Sequence, residues 1–333
     1  MFKTRIFAGA ALAIAIIANA AAHAQYTAKE WPDGPMKQRF VSICGGCHDI
    51  NRVRVGYTPE GWLTVTRMMQ NMAAPVPAEE WPAMTEYLIK SFPERARPVA
   101  AILPGPAKVN IKMWDVPTLG SRPHNPRAAK DGSIWWTGQL VNKLGRLDPK
   151  SGAIKLVTSP TPNSRPYGLM IDSKGTPWIA EFGAPKIARI DPQAMQFKEF
   201  TLPSPAARPR RLALTDDNTI WYTDFARGYL GRLDVKTGEV KEWPSPSGPK
   251  SEPYGIVFTK GALWYAETAA KPNTIVRFDP KTGHFQSWAI PGGGDIVRNM
   301  DVTRDGNPVF AGSLTNQVGL VEVAQEHAAS TQH

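Results

Sequence analysis

The chain holds only two cysteines, Cys44 and Cys47, only six histidines, and after residue 24 no apolar run long enough to cross a bilayer. Each shortage excludes a class of answer. Two thiols cannot make a disulfide framework, so a folded chain of 333 residues must rest on its own cores. There is no second C-x-x-C to complete a tetrahedral zinc site. No membrane span is expected once the amino-terminal leader is gone. A basic stripe is missing as well. The net charge of +10 is spread along the chain, with Arg208-Pro209-Arg210-Arg211 its strongest cluster. That pattern argues against nucleic acid as a partner and favours acidic ones.

What is present begins with Cys44-Gly45-Gly46-Cys47-His48. This C-x-x-C-H run is the signature of c-type haem attachment. Two thiols one helical turn apart can each form a thioether with a vinyl group, and the following imidazole, His48, can ligate iron axially. A redox dithiol has no use for the trailing His. One covalent haem c is therefore expected, on Cys44 and Cys47, with His48 as proximal iron ligand. The amino terminus agrees. Lys3 and Arg5 precede an apolar run from Ile6 to Ile17, then Ala22-His23-Ala24 and Gln25. This reads as a signal peptide cut after Ala24, with an uncleaved anchor as the alternative. Haem attachment takes place outside the cytoplasm in bacteria, so a periplasmic location is expected.

The length exceeds what one core usually holds, so more than one domain is expected. Residues 1–24 are the leader and 25–92 a first domain. There, Met36 to Val41 read as a short helix running into the haem motif. Pro59-Glu60-Gly61 opens a second helix with Trp62, Val65, Met69 and Met72 on one apolar face. Glu79 to Lys90 form a closing helix with Trp81, Met84, Tyr87 and Leu88 inward. Residues 93–108 are a proline-rich linker.

Three helices around C-x-x-C-H resemble a small class I cytochrome c. Gly61-Trp62, Arg67-Met68-Met69 and Glu86-Tyr87-Leu88 match the variant whose helices read GW…RM…YL. The resemblance implies a Met sulfur as sixth iron ligand, which raises the potential. Met69 fits the spacing after Trp62 best, Met72 and Met68 are alternatives, and Met84 is expected in the core.

From residue 109 to 323 the sequence repeats. Trp136, Trp178, Trp221 and Trp264 fall 42, 43 and 43 residues apart. A turn precedes each, and each is followed by a strand ending in Arg-x-Asp: Arg146-Leu147-Asp148, Arg189-Ile190-Asp191, Arg232-Leu233-Asp234, Arg277-Phe278-Asp279. Four short strands per repeat at this period is the signature of a β-propeller. A weaker fifth copy from Ile296 to Val323 has Phe310 in the Trp place and lacks a last strand. Asn110 to Pro117 look like that strand and would close the ring. The expected fold is multidomain: a small all-α cytochrome c domain followed by an all-β propeller of five blades, the last closed by an N-terminal strand. Residues 324–333 read as a polar, disordered tail.

Pro166-Tyr167-Gly168, Pro253-Tyr254-Gly255 and the repeated Arg-[Ile/Leu]-Asp make residues 109–323 resemble the virginiamycin B lyase (streptogramin lyase) family. Its members linearise cyclic depsipeptide antibiotics by metal-assisted elimination, using a His and Mg²⁺-binding acidic and His side chains at the mouth of a seven-bladed channel. This chain departs from that pattern in blade count and in having only His124 and His284 in the propeller, His284 in an outer turn. The repeat phase puts His124, Tyr167, Arg210, Tyr254 and Asn299 at homologous channel-facing positions. Gln139, Glu181, Asp224 and Glu267 follow the repeat Trp by three. The acids either bind neighbouring backbone and Arg groups, or hold a divalent cation at the channel. His124, Glu181, Asp224 and Glu267 are the candidate catalytic residues.

Two functions follow. The preferred one is one-electron transfer with a periplasmic redox partner, a dehydrogenase or a terminal acceptor, the propeller serving as docking, sensing or substrate-binding platform. The alternative is a propeller enzyme, a lyase or an oxidoreductase feeding the haem, with a small molecule or peptide in its mouth.

Overall fold

The structure, a computed structural model, describes residues 28–46, 48–96, 98–103, 105–294, 296–312, 315 and 317–323. The expected signal peptide, Cys47 and the tail beyond residue 323 lie outside the described residues. The chain divides near residue 104 into two compact units, with the short stretch Arg67–Met72 assigned to the second. Among the described residues no helix is long and apolar enough to cross a membrane.

The first unit is helical: α1 Lys37–Cys44, α2 Pro59–Asn71 and α3 Trp81–Ser91, with short 3₁₀ turns at Ala28–Glu30, Ile50–Val55 and Ala78–Glu80. Helix α2 starts where Pro59 supplies a helical φ and the Thr58 hydroxyl accepts the Gly61 N–H at 3.1 Å. The core is largely aromatic: Trp31, Phe40, Trp62, Tyr87 and Phe92, closed by Met36, Ile50, Met84 and Leu88. The rings meet edge-on or tilted, as Trp31 on Phe40 at 5.3 Å. Trp62 Nε1 donates to the Phe92 carbonyl at 2.7 Å and the Tyr87 hydroxyl to the Pro32 carbonyl at 2.8 Å. The inward face of α2 differs from its expected stripe. It turns through Trp62, Val65 and Thr66, whose hydroxyl donates back to the Trp62 carbonyl at 2.9 Å. Met69 is only half-buried and Met72 exposed, so neither is spent on the core.

The second unit is all β. Its sheets are antiparallel meanders, four of four strands and one of three. They form blades over residues 123–158, 166–201, 209–244, 253–289 and 300–320. The first strands of successive blades lie side by side as inner strands. Apolar clusters join blade 1 to 2, 2 to 3, 3 to 4 and 4 to 5. Among the described residues none joins blade 5 to blade 1.

Strand register corrects the repeat phase in blade 1. Trp135, Trp178, Trp221 and Trp264 each stand opposite the Arg of the Arg-x-Asp motif: Arg146, Arg189, Arg232 and Arg277. The repeat residue is therefore Trp135, not Trp136, and the period is 43 throughout. Side chains alternate faces along a strand, so a one-residue slip reverses the reading. Trp135, Trp178, Trp221 and Trp264 pack toward the following blade, whereas Ile179, Tyr222 and Tyr265 pack toward the preceding one. Trp136 occupies this second position and lies across Gly145, where a Cβ would come within 2.1 Å of its ring. The same correction applies to blade 5. Phe310 lies over Gly319 and packs toward blade 4, so Val309 holds the Trp position.

The expected closing strand does not form. Residues 110–117 have no strand pairing, and Ile111 and Met113 are 80% and 86% exposed. Trp114 instead stands against the outer turn of blade 1, its Nε1 3.1 Å from where a Gly152 Cβ would lie. That contact ties the segment to the first blade, and the fifth keeps three strands, with Val318 85% exposed at its edge.

Candidate functional site

The inner strands explain what reaches the propeller axis. Each of the first four carries a bulge, one extra residue against its neighbour, between His124 and Arg127, Pro166 and Leu169, Pro209 and Arg211, and Pro253 and Ile256. A bulge re-aims side chains that a regular pleat would alternate. Threonines pin it: the Thr137 hydroxyl lies 2.9 Å from the His124 carbonyl and 3.3 Å from that of Tyr167, and Thr223 donates to the Tyr254 carbonyl at 2.9 Å. Gly168 is required because a Cβ there would meet the Arg210 carbonyl at 2.6 Å.

The result is one cluster. His124 stacks on Tyr167 at 4.5 Å, and the Tyr167 and Tyr254 hydroxyls meet at 2.6 Å. Arg210 lies inside a box of rings, 3.9 Å from Tyr254, 4.0 Å from Phe225, 4.7 Å from Phe182 and 5.4 Å from Tyr167. Arg211 reaches the same tyrosines at 5.0 and 5.7 Å. It donates to the Asn125 side-chain oxygen and, at 3.2 Å, to the Arg298 carbonyl. Asn299, expected beside them, is exposed, as is His284 in its outer turn. Phe182, Phe225, Arg211 and Asn125 were not read from sequence. The signal existed for two of them: an aromatic follows the repeat acid at Glu181-Phe182 and Asp224-Phe225, 43 residues apart.

Charge dominates this cluster. Burial, then the guanidiniums of Arg211, Arg122 and Arg210, lowers the His124 pKa, so the ring is neutral at neutral pH. Burial alone would raise Tyr167, but the Tyr254 hydrogen bond and the charges of Arg211 and Arg210 bring it below the usual phenol value. Tyr254 is raised by burial and by its bond to Tyr167.

The repeat acids lie at the same end of the blades, across from the proline that starts each inner strand. Gly138, not Gln139, holds the equivalent place in blade 1. All three acids are buried; Asp224 and Glu267 are fully engaged within their own surroundings, whereas Glu181 Oε2 has no hydrogen-bond partner among the described residues. Asp224 accepts from Arg227 Nε at 2.6 Å and the Arg208 N–H at 2.9 Å. Glu267 accepts from Ser245, Ser247 and Thr274. Glu181 accepts from Ser159 at 2.7 Å, and burial, with the nearby Glu199 charge, pushes its pKa up to about 7. Among the described residues no three His, Cys, Asp or Glu side chains converge as metal ligands.

In the helical unit Cys44 ends α1 and packs against the aromatic core. His48 is half-buried, its Nδ1 3.2 Å from the Asp49 carbonyl. With the proton on Nδ1, that contact leaves Nε2 available as a ligand. Asp49 is itself held, its carboxylate capping the next turn through the Asn51 N–H at 2.9 Å. The unit also leaves Leu63 and Val55 half exposed, apolar surface that a small core does not cover. A thiol at a helix end and an imidazole with a free ring nitrogen are the donor set that a covalently held porphyrin needs.

The Virginiamycin B lyase family model matches residues 105–271. No curated protein matches the chain. Among solved structures, virginiamycin B lyase from Staphylococcus aureus is 26% identical, with a TM-score of 0.57 over 64% of this chain and 74% of that one. A catalytically inactive variant of the S. aureus lyase with quinupristin gives 25% and 0.56, over 64% and 74%. Hydrazine synthase of Kuenenia stuttgartiensis, at 15% identity and a TM-score of 0.50 over 61% and 58%, shares the fold alone.

Proposed function

Because the chain belongs to the virginiamycin B lyase family through residues 105–271, with the C-x-x-C-H unit outside that match, we propose a fusion of an electron carrier to a lyase-like binding platform. The protein is exported by a leader cut after Ala24 and works in the periplasm. Cys44 and Cys47 hold one haem c through thioethers, His48 is the proximal ligand and Met69 the distal one, with Met72 and Met68 as alternatives. When bound, haem supplies a one-electron iron couple. The chain's own residues do the rest: Asp49 orients the His48 ring, the aromatic core braces α1, and the half-buried Met69 stays available because Trp62, Val65 and Thr66 carry the packing. Electrons pass to or from a partner protein, a dehydrogenase or a terminal acceptor, and the propeller mouth binds what the partner or substrate presents.

The observation that carries this reading is the C-x-x-C-H run of the sequence, whose first cysteine, Cys44, is the last residue of α1 and whose His48 Nδ1 lies 3.2 Å from the Asp49 carbonyl. Family membership favours a second reading, metal-assisted opening of a cyclic depsipeptide such as quinupristin. The engagement of Asp224 and Glu267, and the presence of only one axial histidine among the described residues, weigh against it. The test is expression in a haem-maturing host. The reduced-haem bands are present in the parent protein and lost in Cys44→Ala/Cys47→Ala, and quinupristin stays cyclic on incubation with Mg²⁺. Bands that survive the double replacement refute the carrier, and ring opening establishes the lyase.

A further inference from the structure

Three facts about the axial cluster stand together. First, its cations lack counter-ions. Among the described residues neither Arg210 nor Arg211 has a carboxylate partner: Asp224 is taken by Arg227 and the Arg208 N–H, and Glu267 by hydroxyls. Second, polar atoms there are unspent. His124 Nδ1 and Arg210 Nε are buried without a hydrogen-bond partner. A buried donor left unmade is costly, and a π box offsets only part of a guanidinium's lost hydration. Third, the surroundings are aromatic: Phe182, Phe225, Tyr167 and Tyr254 all face Arg210.

We propose that this cluster is a binding site for an organic carboxylate, the anion held by Arg210 and Arg211 and the apolar or aromatic body laid against Phe182 and Phe225. Two adjacent guanidiniums repel each other, and a carboxylate beside them relieves the repulsion through charge-assisted bonds. The bulge at Arg210 makes this possible by putting consecutive arginines near the same pair of tyrosine rings. Neutral His124 adds a hydrogen-bonding nitrogen without adding charge. The ring walls select an organic anion over an inorganic one, since a hydrated phosphate or sulfate gains nothing from aromatic faces. The net charge of +10 raises the encounter rate with any anion.

The proposal rests on reading the propeller as a binding platform and is independent of the haem. Isothermal titration of the full-length protein at constant ionic strength compares phenylacetate, its neutral analogue phenylacetamide, and sulfate. Phenylacetate is expected to bind saturably, with phenylacetamide and sulfate at least about tenfold weaker, since a bond to a charged group is worth that much. Arg211→Gln and, as a second variant on the apolar wall, Phe225→Ala both weaken phenylacetate. Equal binding of acid and amide, sulfate as tight as phenylacetate, no binding at millimolar concentration, or an unchanged affinity in both variants overturns the site. Reduced-haem bands recorded on the same sample report on the carrier separately, so either reading can fail alone.

Discussion

Tyr167 and Tyr254 join their hydroxyls at 2.6 Å although a whole blade, with Arg210 on its inner strand, lies between them in sequence. The guanidiniums of Arg210 and Arg211 act on both oxygens, and either hydroxyl can donate to the other. The bond ties blade 2 to blade 4 across the axis.

That bond is measurable. Tyr167→Phe and Tyr254→Phe should each lower stability by about 1–2 kcal/mol, because each leaves a buried hydroxyl or its partner unpaired. The double variant should cost less than the sum of the singles by about 1 kcal/mol. Urea unfolding of the four proteins gives the coupling, and additivity within error would remove the bond as a stabilising link.

Gly168 tests how tightly the inner strands approach. An added Cβ would sit 2.6 Å from the Arg210 carbonyl and 3.1 Å from Arg211 Cα, both backbone atoms that cannot swing aside. Gly168→Ala should cost about 1–3 kcal/mol, the range for overpacking. Gly175→Ala is the control for crowding. Its Cβ meets nothing within 4 Å, so its cost comes only from its positive φ of 85°.

These residues also show what the sequence could carry. The 43-residue period, the blade count and the channel positions of His124, Tyr167, Arg210 and Tyr254 were legible, because repeated Trp, Pro-Tyr-Gly and Arg-x-Asp mark each strand. The face was not. Trp135 and Trp136 are adjacent and chemically identical, and only strand pairing with Arg146 shows which one packs forward. Arg211 was missed for the same kind of reason: a bulge turns a residue that strict alternation would send away. The closing strand was misread as well: residues 110–117 pair with no strand, and Trp114 lies against Gly152 of blade 1, a tertiary placement that strand propensity does not encode.

Glu181 makes stability depend on pH. Its pKa rises from the ordinary glutamate value of 4.5 to about 7 on folding, chiefly through burial and secondarily through the Glu199 charge. Below 4.5 both states are protonated. Between 4.5 and 7 the unfolded chain has ionised while the folded one still holds its proton, so stability falls as pH rises. The ceiling is about 3 kcal/mol, at 1.36 kcal/mol per unit. Glu181→Gln should flatten the slope between pH 5 and 8, read from urea midpoints at each pH. A slope unchanged in the variant would assign the effect elsewhere.

The proposed haem leaves its sixth ligand to be assigned. A ligating sulfur cannot also be spent on the core. Met84 is 1% exposed among Trp62, Tyr87 and Phe92, so its thioether is committed to packing. Met68 and Met69 are half-buried and Met72 is exposed, all three outside that cluster. In the oxidised protein the Met–iron charge-transfer band should therefore vanish in Met69→Leu. It should persist in Met84→Leu, a near-isosteric change costing under about 1.5 kcal/mol. Loss of the band only in Met68→Leu or Met72→Leu moves the assignment to the neighbouring residue of α2 or to the residue just past its end. Survival of the band in all three variants would mean that none of these sulfurs reaches the iron.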